Sequence, residues 1–266
     1  MPSTDIWHSE TIEQANSSPK TPEQPFIWLH GWGHTSSALS RLAGLFKKNG
    51  CHTLYDQPGF GKTPALHEGA GSQDYADALA KQLGTALKGS KGAILVGHSY
   101  GARVSVQMAS RYPDLIKAII LISGAGLRRK RSVAHRVRAG ALKLIGRLAR
   151  LSDAIFGTRY RDAYVKRFGS RDYQNAGVLR GTLVSAVNED LSALAQQIKC
   201  PTLLIYGGDD TETPPEFGHR YEGLIPIARC EILKGYGHND ILERGAYQCE
   251  ALIRTFLKDL NGGRDG

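Results

Sequence analysis

Ala93-Ile94-Leu95-Val96-Gly97-His98-Ser99-Tyr100-Gly101 is the stretch of this 266-residue chain whose reading decides the fold. Four apolar residues predict a buried strand, and the two glycines stand two positions before and two after a serine. A sharp strand-to-helix turn brings two backbones together at those places, where only a hydrogen side chain fits. Downstream, Val104, Met108 and Ala109 recur at helical spacing before Tyr112-Pro113 closes the segment, which predicts the helix that the turn feeds. Its N-terminal N–H groups and dipole favour negative charge beside Ser99. The stretch reads as a nucleophile elbow. Because G-x-S-x-G alone is frequent by chance, the surrounding sequence must agree.

Working outward, Ile6 to Glu13 predicts a first strand, and Phe26-Ile27-Trp28-Leu29-His30 a buried one ending at Gly31-Trp32-Gly33. Cys51 to Asp56 predicts another, closed by the turn Gln57-Pro58-Gly59-Phe60-Gly61. Ala78, Leu79, Leu83, Ala86 and Leu87 form a helical stripe. Ile116 to Ile122, Thr202 to Tyr206 and Ala228 to Leu233 are further strands, and Leu252, Ile253, Phe256, Leu257 and Leu260 share one face of a last helix. Continuous apolar strands alternating with amphipathic helices imply an α/β fold, a mostly parallel central sheet covered on both faces. Ligands of such sheets bind beyond the carboxyl ends of the strands.

Size and charge set the frame. A 41% hydrophobic content supports one large domain, or one domain carrying an insertion. No run of about 18 apolar residues predicts a spanning helix, and the polar start of the chain does not read as a secretory signal, so the expectation is a cytoplasmic protein. Cys51, Cys200, Cys230 and Cys249 are isolated and read as reduced core thiols. The net charge of +9 is concentrated: residues 126–180 hold 15 Lys and Arg against 3 Asp, while the remainder carries −3. Any electrostatic partner is met in that block.

Three further polar groups fall just after strands: His30, the pair Asp209-Asp210, and His238. With these in place the chain resembles the α/β-hydrolase family. The resemblance covers about residues 25–124 and 196–260. It is carried in order by His30-Gly31-Trp32-Gly33, Asp56-x-Pro58-Gly59-x-Gly61, Gly97-x-Ser99-x-Gly101, Gly207-x-x-Asp210-x-x-x-Pro214 and Gly237-His238-x-x-x-x-Glu243.

A serine hydroxyl attacks only when a base takes its proton and a third group orients that base. The resemblance implies Ser99 as nucleophile and His238 as base. Family spacing selects Asp210 as the acid, with Asp209 as the competing choice. The backbone N–H groups of Trp32 and Tyr100 are implied as the oxyanion hole; the Trp32 and Tyr100 side chains are expected to line an acyl pocket, with packing of the Trp32 indole on the core as the alternative for that residue. His30 and Asp56 read as loop-ordering residues and His98 as structural. No metal and no organic cofactor is called for.

Residues 125–190 fall where the family inserts a helical cap, leaving 1–124 and 191–266 as the core domain. Val133, Val137, Ala141, Leu144, Ile145, Leu148 and Leu151 form an apolar stripe expected to cover the site or pack on the core, with Arg136, Lys143, Arg147 and Arg150 on other faces. The basic face is a solvated surface or a docking site for an acidic carrier protein, a CoA ester or another anionic acyl donor. The loop at His30 resembles that of carrier-protein methyl ester esterases, although the elbow differs from theirs. An anionic membrane surface is a less favoured partner, and nucleic acid is disfavoured because no reading motif accompanies the charge. Together these readings imply a serine hydrolase of esters or thioesters. The alternatives are a carbon-carbon bond hydrolase of the meta-cleavage type and a ligand receptor with little turnover.

Overall fold

Seven strands form one sheet in the order β1-β3-β2-β4-β5-β6-β7. The strands are β1 (Ser9–Ile12), β2 (Pro25–Leu29), β3 (Cys51–Tyr55), β4 (Ala93–His98), β5 (Ile116–Ile122), β6 (Thr202–Gly207) and β7 (Ala228–Leu233). The computed structural model describes residues 6–12, 24–87, 90, 92–129, 133–156, 158, 160 and 171–262. β2 through β7 run parallel, and β1 pairs antiparallel with β3 at the edge. The first strand is shorter than the sequence predicts. Ile6 is exposed, and the buried Trp7 packs edge-on against Tyr55 and Tyr75 instead of extending the ladder. Glu13 lies outside the described residues.

Period-two alternation sorts the strand side chains into two cores. Phe26, Trp28, Ile94, Val96, Ile120 and Ile205 face helices α1 (Ser37–Gly44) and, from the chain's end, Asp240–Glu243 and Ala246–Gly262. Ile27, Leu29, Leu95, Leu121 and Leu204 face α2 (Ser72–Ala86), α3 (Tyr100–Arg111) and the helix Pro215–Leu224. Burial on both faces is why these strands read as unbroken apolar runs.

Between β5 and β6 lie α4 (Val133–Phe156), α5 (Arg171–Asn175), α6 (Arg180–Asn188) and α7 (Ser192–Ala195). Here one expectation is corrected. Ile145, Leu148 and Leu151 of the α4 stripe are 49%, 56% and 56% exposed, so this part of the stripe neither covers the site nor packs on the core. Amphipathic spacing says that a helix has an apolar face, not what that face meets. The side chains of Val133, Val137, Ala141 and Leu144 lie outside the described residues. Attachment to the core comes later in the segment, where Leu179, Leu183 and Ala186 are buried. Beyond them Glu189 accepts hydrogen bonds from Ser72 Oγ at 2.5 Å and from Arg103 Nη1 at 3.2 Å.

Candidate active site

Register places the site. Leu29 pairs with Gly97, His98 with Ile122, and Ile122 with Ile205, so the loops after β2, β4, β5 and β6 leave one edge of the sheet together. Ser99 stands at the tip of the central one with φ 49° and ψ −106°, a conformation non-glycine residues seldom adopt. Packing enforces it. A Cβ on Gly101 would sit 2.1 Å from the Leu29 carbonyl oxygen, and one on Gly97 would sit 2.6 Å from Ser105 Oγ. Strand and helix thus approach as closely as backbone allows, and Ser99 projects from the bend.

His238, on the loop after β7, has Nε2 2.8 Å from Ser99 Oγ and Nδ1 2.8 Å from Asp210 Oδ2. Asp210 is buried while Asp209 is exposed. The Asp209 amide donates to the Tyr236 carbonyl at 3.0 Å, which holds the Asp loop against the His loop. Asp210 Oδ1 accepts the amides of Glu212 and Thr213, each at 2.8 Å. Burial pushes the Asp210 pKa up, but the hydrogen bonds from His238 and Thr213 and the charge of His238 outweigh it and bring the value down to about 2. The carboxylate is therefore ionised throughout the working pH range.

Thr213 is the residue the sequence reading missed. Its hydroxyl lies 2.9 Å from Asp210 Oδ2, 2.9 Å from the Ser123 carbonyl oxygen and 3.1 Å from His238 Nδ1. It ties the acid and the imidazole to the end of β5, where Ser123 has φ 45°. The available signal was the spacing: a carboxylate followed two and three residues later by amides it can accept is an Asx-type turn.

His98 braces the same imidazole from behind. Its Nε2–H donates to the His238 carbonyl oxygen at 3.0 Å. Burial, and then the neighbouring His238, push its pKa down to about 3, so the ring is neutral and serves as a strut. His30 and Asp56 order loops. His30 Nε2 accepts the Gln57 amide at 3.0 Å, and the Gln57 side chain donates to the His30 carbonyl at 2.6 Å. Asp56 accepts the amides of Ser36 at 2.8 Å and Lys62 at 2.9 Å.

The loop at Gly31 passes directly over the serine. A Cβ there would lie 2.8 Å from His98 Nδ1 and 3.3 Å from Ser99 Cβ, which places Trp32, the next residue, beside Ser99. Tyr100 opens α3, so its N–H is among those a helix leaves without an internal acceptor. The Trp32 ring packs edge-on against Phe60 at 5.0 Å and Tyr100 at 5.5 Å. Tyr100 is buried in the core, while Trp32 also borders a cleft of about 410 Å³ with His34, Ser99, Asp172, Glu212 and His238. Of these, Glu212 Oε2 lies 3.5 Å from His238 Nε2. Hydrogen-bonding groups dominate the lining. With Asp210 holding its far nitrogen, His238 is placed to take the Ser99 hydroxyl proton.

Comparison with known proteins fits this geometry. The profile of the Alpha/beta hydrolase family matches residues 26–250. The chain belongs to that family. It is 30% identical over 219 residues to the pimeloyl-[acyl-carrier protein] methyl ester esterase of Chromobacterium violaceum, covering 76% of this chain and 82% of that one. It is 24% identical to Lipase 3 of Moraxella sp., covering 91% and 78%. A thermophilic esterase from Thermogutta terrifontis superposes with a TM-score of 0.67 at 18% identity, covering 95% and 93%. That last likeness shows the shared α/β-hydrolase fold.

Proposed function

We propose that this α/β hydrolase cleaves a carboxylic ester or thioester through an acyl-enzyme formed on Ser99. The observation that carries the reading is the unbroken chain of two 2.8 Å contacts from Asp210 through His238 to Ser99 Oγ. Its relatives named as an esterase and a lipase support the same chemistry.

In the acylation step His238 Nε2 takes the Ser99 proton as Oγ attacks the acyl carbon, and the carbonyl π electrons move to oxygen. The amides of Trp32 and Tyr100 are the donors for that oxyanion. His238 then delivers the proton to the departing alkoxide or thiolate. Water repeats the sequence on the acyl-enzyme and releases the acid. Asp210 keeps His238 in the tautomer with hydrogen on Nδ1 and offsets the charge of the imidazolium.

The polar cleft wall favours short or polar acyl groups over long alkyl chains, and the insertion at 125–190 serves as its cap. A panel of p-nitrophenyl esters of increasing acyl length, run beside Ser99→Ala, tests both points. Native enzyme is expected to turn over acetate and butyrate esters faster than laurate, with the variant inert. Equal turnover by native and variant would remove Ser99 from the chemistry.

A further inference from the structure

Six exposed apolar residues of the insertion fall between 145 and 160, and Val178, Val184 and Val187 are exposed further along it. Ile145, Leu148, Leu151, Ile155 and Phe156 of α4 are 49% to 75% exposed, and Tyr160 just beyond the helix is 60% exposed. At 100° per residue the five helical side chains span an arc of about 140°. Exposed Arg147 stands about 40° beyond one edge of that arc, while exposed Arg150 lies on the opposite side of the helix. The block of residues 126–180 carries +12 while the rest of the chain carries −3, so the molecule is electrostatically lopsided.

We infer that α4 is a docking surface for an anionic lipid bilayer, lying in the plane of the headgroups with its aliphatic and aromatic arc sunk into the acyl boundary. Two features must be answered at once, a strong positive charge and a row of large apolar side chains facing solvent. Lipid phosphates pair with Arg147 at the edge of the arc, and the same surface takes up the apolar side chains. An acidic carrier protein answers the charge but has no stated need for the exposed aliphatic arc. No described helix is long and apolar enough to cross a membrane, so α4 rests on the surface. Its 24 residues give it a length of about 36 Å at 1.5 Å per residue. The −3 of the remaining chain turns the rest of the molecule away, which orients the helix face inward.

The test is flotation of the full-length protein with phosphatidylcholine vesicles and with 7:3 phosphatidylcholine:phosphatidylglycerol vesicles, at low and high salt. Native protein is expected to partition onto the anionic vesicles at least ~30-fold more strongly than onto the neutral ones. The variants Leu148→Glu/Leu151→Glu and Arg147→Glu should each lose ~10-fold or more of that partitioning. Tyr247→Ser, on the exposed face of another helix, should lose none. Ser99→Ala should float like the native protein, which separates this surface from the hydrolase reading. Three results overturn the inference: no flotation on anionic vesicles at low salt, flotation indifferent to Leu148→Glu/Leu151→Glu, or capture of an acidic carrier protein by the same three residues without flotation.

Discussion

Asp210 holds four hydrogen bonds on its two carboxylate oxygens, from two amides, one hydroxyl and one imidazole. Replacing it by asparagine keeps the shape but offers the imidazole an N–H, which favours the wrong tautomer. Asp210→Asn is expected to lower kcat about 10⁴-fold. Its pKa in the fold, about 2, lies below the ordinary 3.8. The carboxylate therefore adds stability above about pH 4, and the gain is lost as pH falls toward 2. Denaturation curves should show the gap between native and Asp210→Asn constant from pH 5 to 8 and shrinking below 4. Thr213→Val removes the hydroxyl that Asp210 and Ser123 share, at a cost of about 1–3 kcal/mol in stability. If Thr213 positions the acid, kcat falls about 10-fold with KM unchanged, and Thr213→Ser restores it. A role confined to packing would move stability and leave kcat alone.

At the scale of elements, the elbow is the least forgiving part. The 2.1 Å approach that a Cβ on Gly101 would make to the Leu29 carbonyl is to backbone, which cannot step aside. Gly101→Ala is expected to cost 3 kcal/mol or more, read as a loss of soluble protein or a fall in Tm. The junction of insertion and core depends on Glu189, whose partners Arg103, Ser72 and Gln107 sit on α3 and α2. Glu189→Ala leaves Arg103, whose side chain is only 12% exposed, without its counter-charge. About 2–3 kcal/mol should disappear in chemical denaturation.

The elbow, the mostly parallel sheet and the approach of Ser99, His238 and Asp210 were legible because glycines and strand ends mark them in sequence; the order of the strands was not. Burial and a paired imidazole distinguish Asp210 from Asp209, which sequence spacing alone left open. Thr213 was not legible, because its role depends on β5 ending beside it. The α4 stripe was legible as a helix face but not as an exposed one, since periodicity carries no record of what a face meets.

For the whole molecule, Cys200, Cys230 and Cys249 are free thiols. Burial raises Cys200 to about 11 and Cys249 to about 12, and burial with Glu222 and Glu231 raises Cys230 to about 12. These three stay protonated at pH 8. Iodoacetamide at that pH is expected to label them slowly in native protein and to leave ester turnover intact; rapid loss of activity would point to a thiol in the chemistry.

The central claim is that Ser99 becomes the acylated residue, and the most direct measurement is fluorophosphonate labelling read by peptide mass spectrometry. One adduct per chain on the peptide containing Ser99, none on Ser99→Ala, and a labelling rate that collapses in His238→Ala are the expected results. An unlabelled native protein, or an adduct on another residue with Ser99 unmodified, would contradict the account.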